Sequence, residues 1–382
     1  ERAQDDNQKA IVALDKALVR TLVFNDQPQM RESFVMLRGA YDKPGEKVPR
    51  STPAFLPALA VPEGNTPNRL DLARWLVGPE QPLTPRVAAN RLWQQVFGTG
   101  LVKTSEDFGL QGEQPSHPEL LDWLAAEYRA GGWNTKQLLR LLVTSAAFRR
   151  DATVHPEQLA RDPANRLLAR GPRIRLDAEQ IRDNALAVAG LLSPTVGGRG
   201  SRPYQPDNIW EPVGFDSSDT RKYVRDSGDG LYRRSIYVFF KRTAPPPFMA
   251  NFDAPNREQL CSRRERSNTP LQSLQLMNDT QHVEAARVLA ARVLAAPGSD
   301  AERISWAFRT VLARAPRPEE TLILAQNLAA HRARYAADAE ATSQLIRQGD
   351  APVPESIPTA ELAAWTLLAN LLLNLDETLT RN

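Results

Sequence analysis

The sequence predicts a mainly α protein: one large multi-helix domain with a long irregular insertion and a small β-hairpin near the N-terminus. Apolar residues recur at helical spacing through most of the 382 residues, which is the primary signal for helices. Start signals, such as Thr84 followed by Pro85, precede several of these stretches. No stretch reaches the roughly 20 apolar residues of a membrane span. The most apolar run, residues 362–373, predicts a buried helix.

The first part of the chain, residues 1–67, is predicted to contain a helix, a hairpin and a linker. Apolar spacing predicts the helix over residues 7–19. Two β-like runs, residues 21–24 and 33–37, flank a polar stretch with a proline and predict the hairpin. Residues 42–68 are rich in Pro and Gly, which indicates a loop or linker. The chain begins without Met or a basic and apolar leader, so we expect a fragment or a processed product.

The remainder is predicted to form two helical lobes, residues 68–192 and 269–382, on either side of the insertion at residues 193–268. In the first lobe, Ser116 and Glu119 are spaced as a capping box for a helix that follows. In the second lobe, Thr269 and Pro270 start a series of helices. We expect all of these parts to pack into one compact domain.

The insertion is the most promising functional region because long irregular stretches inside domains are often functional. Residues 204–211 interleave aromatic rings with hydrogen-bonding groups, as sugar-binding sites do. Tyr204 and Trp210 are therefore candidates for stacking on a sugar. The alternative is that both rings anchor a long loop to the core.

Arginines are concentrated later in the insertion. Residues 225–270 contain nine Lys and Arg against five Asp and Glu, whereas the whole chain has a net charge of only +3. Arginines just before a helix N-terminus favour an anion site. The alternative is an internal ion-pair network with nearby acids. The candidate ligand-binding residues here are Asn256, Arg257, Arg263, Arg264 and Arg266, and the acids of the network would be Asp253, Glu258, Glu265 and Asp279.

Histidine and cysteine usage gives no indication of a metal site. The four histidines are far apart in sequence, and the single cysteine, Cys261, permits neither an intrachain disulfide nor a haem-attachment motif. We expect His117 to cap or pack at a helix start. Cys261 is expected to be a buried small hydrophobe, with a reactive thiolate beside the arginines as the alternative. The near balance of 48 basic and 45 acidic residues argues against nucleic-acid binding.

Several longer motifs resemble a planctomycete-specific domain of unknown function that follows cytochrome-c-type domains in large exported proteins. The motifs lie at residues 90–102, 107–109, 115–125, 252–257, 266–272 and 373–378. The resemblance implies a periplasmic or extracellular location, a cytochrome-c-type domain or protein as partner, and an anionic polysaccharide as a candidate ligand. It implies that any haem c is held outside this chain. It brings no catalytic residues with it.

Two functions follow from these observations. The first is a non-catalytic binding or scaffold domain of an exported, cytochrome-c-linked protein involved in polysaccharide breakdown. The alternative is an extracytoplasmic carbohydrate-active enzyme, with Asp253, Asp207 and His117 as the first candidates for proton transfer. An oxidative form of this enzyme would pass electrons to a cytochrome c. An enzyme predicts a deep pocket with converging acids. A scaffold predicts internally paired arginines and an exposed apolar patch.

Overall fold

The computed structural model describes residues 2–18, 20–25, 27, 29, 31–62 and 64–381. It divides into two compact units, Glu1–Arg86 and Val87–Asn382. Among the described residues the secondary structure is dominated by helices, and the strands are short. The predicted mainly α fold class is confirmed. No helix in the described part of the chain is long and apolar enough to cross a membrane.

The first unit contains helix α1 (Arg2–Ala17) and an antiparallel hairpin of β1 (Ser33–Met36) and β2 (Pro44–Val48). The predicted hairpin is confirmed, but its predicted first strand is wrong, because residues 20–25 form no strand. The residues of the predicted turn at 26 and 28 lie outside the described residues. The strand at Ser33 pairs with the residues that follow it, and the Leu37 amide donates to the Lys43 carbonyl (2.9 Å) where the chain turns back.

Helix α2 (Arg69–Val77) is the last helix that lies wholly in the first unit. The boundary between the units falls within the next helix, α3 (Leu83–Phe97). Asn68 caps α2 by accepting from the amides of Leu70 and Asp71, and Asp71 accepts from the Asn68 amide in return. This reciprocal capping box satisfies donors that a helix start would otherwise leave unpaired.

The second unit continues with four helices, of which the first two pack around aromatic and leucine side chains. These are α4 (Pro118–Ala130), α5 (Thr135–Thr144), α6 (Pro156–Arg161) and α7 (Ala178–Ala189). The predicted capping box at Ser116 is wrong. Pro118 occupies the first position of α4, which makes His117 the N-cap, and the His117 side chain makes no capping bond. The Ser116 hydroxyl instead lies 3.0 Å from His117 Nδ1.

The C-terminal helices form the largest core. They are α9 (Pro270–Asn278), α10 (Thr280–Ala295), α11 (Asp300–Leu312), α12 (Pro318–Ala337), α13 (Ala339–Ile346), α14 (Thr359–Leu373) and α15 (Asp376–Leu379), after the short α8 (Pro247–Asn251). Helix α14 is apolar on all sides and packs against α10 and α12. Leu368 and Trp365 are almost completely buried, which confirms the predicted buried helix.

The insertion is held by hydrogen bonds from Arg182 rather than by regular structure. It contains α8 and short 3-10 turns, one of which is Ser235–Tyr237 in an apolar run, residues 235–240, whose composition favours a strand. Arg182 on α7 is buried and donates to the main-chain carbonyls of Arg233 (2.9 Å) and Leu231 (2.7 Å). Burial lowers the pKa of Arg182 to about 10, against the opposing charges of Asp183 and Asp279. The chain closes with β3 (Ile174–Arg175) paired to β4 (Thr380–Arg381).

Candidate functional site

A cavity of about 490 Å³ in the second unit is lined by more arginines than any other kind of residue. We call it the arginine cavity. Its walls come from the end of α3, from residues 163–175 and from Arg266. Its five arginines are Arg166, Arg170, Arg173, Arg175 and Arg266. Among the described residues that line it, none is an aspartate or a glutamate.

One wall of the arginine cavity is aromatic. Trp93 and Phe97 lie four residues apart on α3, and their rings stack with centroids 4.0 Å apart. The segment with the arginines approaches this wall closely because residue 98 is a glycine. A Cβ on Gly98 would lie 2.7 Å from Ile174 Cδ1, and its φ of +85° also favours glycine. The cavity therefore combines an apolar surface with concentrated positive charge.

Arg166 and Arg170 are fixed by main-chain carbonyls. Arg166 donates to the carbonyls of Gly100 (2.7 Å) and Leu101 (2.8 Å). Arg170 donates to the carbonyl of Pro163 (2.8 Å) and to that of Asp162 (3.2 Å). Within the described chain neither guanidinium has a carboxylate at salt-bridge distance. A carbonyl orients an arginine without cancelling its charge, so both remain available to an anion.

Asp253 holds the side chain of Arg175 in position. The two side chains form a salt bridge of 2.5 Å. The Asp253 carboxylate also accepts from the Ser267 amide (2.8 Å) and hydroxyl (2.9 Å). The backbone of Asp253 is left-handed, with φ of +60°, a conformation that costs energy for most non-glycine residues but that Asp adopts more readily than most. Asp253 therefore holds Arg175 in place.

Arg175, Arg266 and Arg381 lie close enough to affect one another electrostatically. Burial lowers the pKa of Arg175, and the positive charge of Arg266 lowers it further, against the opposing effect of Asp253. Burial and the charge of Arg266 likewise lower the pKa of Arg381. The Nε atoms of Arg175 and Arg381 are buried without a hydrogen-bond partner among the described residues. A bound anion would relieve this repulsion.

The other two arginines of the cavity are paired. Arg173 forms a salt bridge with Asp376, and Arg266 lies 3.5 Å from a carboxylate oxygen of Asp177. Arg173 remains about half exposed, so its pair with Asp376 faces solvent. An exposed pair of this kind contributes little to stability.

Arg263 and Arg264, predicted as ligand-binding residues, are paired internally. Arg264 donates two bonds, of 2.5 and 3.1 Å, to the carboxylate of Glu179. Burial opposes ionisation of Glu179, but these bonds outweigh it and its pKa is lowered. Arg263 lies 3.6 Å from Glu106. Both arginines therefore follow the ion-pair alternative. Their partners are Glu179 and Glu106 and not the acids that lie near them in sequence.

A second opening of about 500 Å³ lies beside these pairs and brings several predicted residues together. Asp253, Asn256, Arg263 and Arg264 all line it. Cys261 also lines it and is exposed, so the prediction of a buried cysteine is wrong. Its neighbours are mostly polar and exposed, which leaves no core for it to pack into. Arg257 lies over the Phe240 ring, 5.0 Å from the centroid.

The predicted sugar-stacking residues have different environments. Trp210 is only 1% exposed and packs against Tyr223 and Phe239. It cannot stack on a sugar from solvent, and the alternative of a loop anchor describes it. Tyr204 is partly buried and donates to Glu284 (3.3 Å). Burial, together with the negative charge of Glu284, raises the pKa of Tyr204 to about 12.

The other two candidates for proton transfer, Asp207 and His117, lie outside the arginine cavity and outside the second opening. Asp207 is exposed in the insertion, and His117 stands at the start of α4. Neither side chain lines the arginine cavity or the second opening, which Asp253 lines. In the described part of the chain no group of three or more His, Cys, Asp or Glu is arranged to hold a metal ion. The structure therefore does not bring the three candidates for proton transfer into one place.

Most of the cavity's arginines were missed by the sequence reasoning, although a local signal was present. Residues 163–175 contain four arginines and no acid. This local signal is weaker than the motifs of the insertion, because nothing in residues 163–175 shows that α3 and Arg266 lie opposite them. Only Arg266 was among the predicted ligand-binding residues.

Comparison with known proteins gives one match. The model of a family described as PSD1, "Protein of unknown function (DUF1553)", matches residues 68–328, more than half of the chain. All residues that line the arginine cavity fall within that range. Neither the curated proteins nor the solved structures give a significant match.

Proposed function

Since the chain belongs to the PSD1 family of proteins of unknown function (DUF1553), we propose a function from its cavity: a binding domain that holds an anionic group of a polysaccharide. The observation that carries this proposal is the lining of the arginine cavity. It presents five arginines and, among the described residues, no carboxylate. Two of them, Arg166 and Arg170, have no salt-bridge partner in the described chain.

The chemistry of the lining selects the ligand. A guanidinium presents a planar set of N–H donors that matches the oxygens of a sulfate or a carboxylate. Trp93 and Phe97 also line the cavity, but they are only 5% and 8% exposed and stack on each other, so they offer a small apolar contact to a sugar and not an open ring face. The volume of about 490 Å³ lies within the usual range for small-molecule sites. A sulfated or acidic sugar unit satisfies all three features.

The same lining favours binding over catalysis. A glycosidase needs two carboxyl groups on either side of the scissile bond, and general acid–base work needs a group with a transferable proton. The described residues of the cavity provide neither. Asp253, the first candidate for proton transfer, is engaged by Arg175 and Ser267. We therefore propose a non-catalytic role.

The wider setting of the proposal rests on the resemblance of the sequence motifs. In that setting the domain serves an exported protein and works beside a cytochrome-c-type domain or protein that holds the haem. Purification of the chain with its partners from the native source tests this setting. A haem absorption band in the same fraction supports it, and its absence from all fractions containing the chain contradicts it.

Calorimetric titration with a heparin disaccharide, and with its desulfated counterpart, tests the binding function. We expect the sulfated compound to bind and the desulfated one to bind at least about tenfold more weakly, since hydrogen bonds to charged groups are the strong ones. Arg170→Gln and Arg266→Gln should each weaken binding by about tenfold. Raising the salt concentration should weaken binding further.

Arg263→Gln is the matched control, because Arg263 lies 3.6 Å from Glu106 and does not line the arginine cavity. It should change the affinity by less than about twofold. Equal losses in Arg263→Gln and Arg170→Gln would place the anion elsewhere. No heat of binding with either disaccharide would refute the proposed function.

A further inference from the structure

A second cavity in the same unit has a different chemical character. It has a volume of about 100 Å³ and lies between α10 and the insertion. We call it the histidine cavity. Its lining includes the polar side chains of His282, Asp279, Gln205 and Tyr204, together with Phe248 and four prolines. None of these residues lines the arginine cavity.

His282 is the central group of this cavity. It lies in the first turn of α10 and is only 2% exposed. The ring of Phe248 stacks on its imidazole, with centroids 5.0 Å apart. Its Nδ1 lies 3.5 Å from an oxygen of the buried Asp279 carboxylate, which interacts with it, whereas its Nε2 has no hydrogen-bond partner among the described residues. Buried polar atoms are rarely left in this state.

Gln205 provides a second buried polar atom without a protein partner. Its Nε2 is buried and has no acceptor among the described residues. The neighbouring Tyr204 fixes this stretch of chain, because its hydroxyl accepts from the Asp350 amide (2.7 Å) and donates to Glu284. The cavity therefore combines an amide that donates with an imidazole that, when neutral, donates at one nitrogen and accepts at the other.

The charged residues of the histidine cavity leave no unbalanced charge for a ligand to neutralise. Arg182 also lines it, but its N–H groups are directed at Gln281, at Ser235 and at the carbonyls of Arg233 and Leu231. An oxygen of Asp279 accepts from the amides of Gln281 and His282. Because one residue is positive and the other negative, the lining is close to neutral overall.

We infer that the histidine cavity binds the hydroxyl groups of a neutral polyol. A hydroxyl both donates and accepts, so it can satisfy His282 and Gln205 together. Carbon atoms between the hydroxyls would contact Phe248 and the prolines. The volume is roughly three times the share of one water molecule in the liquid, which admits a hydroxyl-bearing fragment and not a whole chain of sugars. The source is either a free small polyol or the hydroxymethyl end of a sugar.

Nitrogen NMR of the histidine side chains in the full chain tests this inference. The chain has only four histidines, so the imidazole signals can be assigned. Glycerol and methyl glucoside serve as probes for the two sources, and propanol serves as the control with one hydroxyl. We expect glycerol or methyl glucoside to shift both ring nitrogens of His282, with dissociation constants on the order of millimolar. Propanol should have little effect at the same concentration.

Gln205→Leu should weaken binding by about tenfold because it removes the amide donor. Gln158→Leu is the matched control, since Gln158 also has a buried amide atom without a described partner, on α6 and away from this cavity. It should leave the affinity unchanged within about twofold. The His282 measurement uses the unmodified chain, so it does not depend on a variant that folds.

The outcomes separate the possibilities. A shift with glycerol alone identifies a small polyol as the ligand, and a shift with methyl glucoside identifies a sugar end. Equal shifts with propanol and glycerol would show an apolar cavity and overturn the inference. So would an unmoved His282 signal with both probes, or an unchanged affinity in Gln205→Leu. The anionic disaccharide titration addresses other residues, so either proposal can fail alone.

Discussion

At the scale of single residues, the acceptor of each arginine decides what that arginine can do. Arg264 gives two bonds to a carboxylate, and this pairing cancels its charge. Arg166 gives two bonds to carbonyls, which fix the guanidinium in position while its charge remains. A pre-oriented guanidinium loses less conformational freedom when it binds an anion. The arginine cavity uses the second arrangement.

Arg314 illustrates the first arrangement and leads to a prediction about acid stability. It binds Glu320 (2.8 Å) and Glu377 (2.7 Å). Its hydrogen bonds lower the pKa of Glu320 from 4.5 to about 2. A carboxyl group with a lowered pKa in the folded state stabilises the fold fully above its unfolded pKa, and that stabilisation is lost as the pH falls towards the folded value. The relevant interval is therefore between about pH 4.5 and about pH 2.

We expect Glu320→Gln to lower the free energy of unfolding at neutral pH by about 1 kcal/mol, a figure reduced for solvent screening because the three side chains are about one third exposed. The difference from the unmodified chain should shrink as the pH approaches about 2. Thermal unfolding over this pH range measures it. Glu319→Gln, at the neighbouring position, is the control. A difference that persists undiminished at the lowest pH would contradict the assignment.

The residues of the site were only partly predictable from the sequence. Arg266 was predicted to bind an anion, and it lines the arginine cavity. Trp210 and Cys261 show the limit of such reasoning, because burial depends on distant parts of the chain. The tryptophan is buried and the cysteine is exposed. The local sequence around each residue does not show whether its side chain is buried or exposed.

At the scale of elements, helices were predicted well where the signal is local. Thr269 is the N-cap of α9 and Pro270 begins the helix, as the sequence predicts. The strand partner of Ser33 was predicted wrongly: it is Val48 of β2, and the local pattern does not show which neighbouring run a strand joins. The capping box at Ser116 failed because Pro118 moves the N-cap to His117. Capping patterns therefore need the position of a following proline before they are assigned.

The capping of α11 gives a prediction at this scale. The Ser299 hydroxyl accepts from the Glu302 amide (3.4 Å), and the Glu302 carboxylate accepts from the Ser299 amide (2.7 Å). We expect Ser299→Ala to destabilise the fold by about 1 kcal/mol, the usual effect of losing an N-cap. Ser116→Ala is the matched control because the Ser116 hydroxyl does not cap α4. Its effect should be within about 0.5 kcal/mol.

Denaturant unfolding of the two variants measures this difference. Equal destabilisation by Ser299→Ala and Ser116→Ala would contradict the capping assignment. A larger effect from Ser116→Ala would do so as well, since it would give the sequence-predicted box a role that the geometry denies it.

At the scale of the whole molecule, the arginine cavity is a product of tertiary structure. Its walls come from α3, from residues 163–175 and from Arg266, which no local pattern connects. Arg175 reaches its position through Asp253, 78 residues further along the chain. The fold class could be predicted because helical periodicity is repeated in many segments. The site could not, because it depends on where those segments meet.

The central claim is that this meeting point binds an anion, and anomalous diffraction from crystals soaked with selenate tests it most directly. Selenate has the shape and charge of sulfate and can be located by its scattering. We predict a peak inside the arginine cavity, within hydrogen-bond distance of at least one of its guanidinium groups, and its loss in an Arg170→Gln, Arg266→Gln double variant. A cavity without a peak, with selenate found only beside Arg263 or Arg264, would contradict the claim.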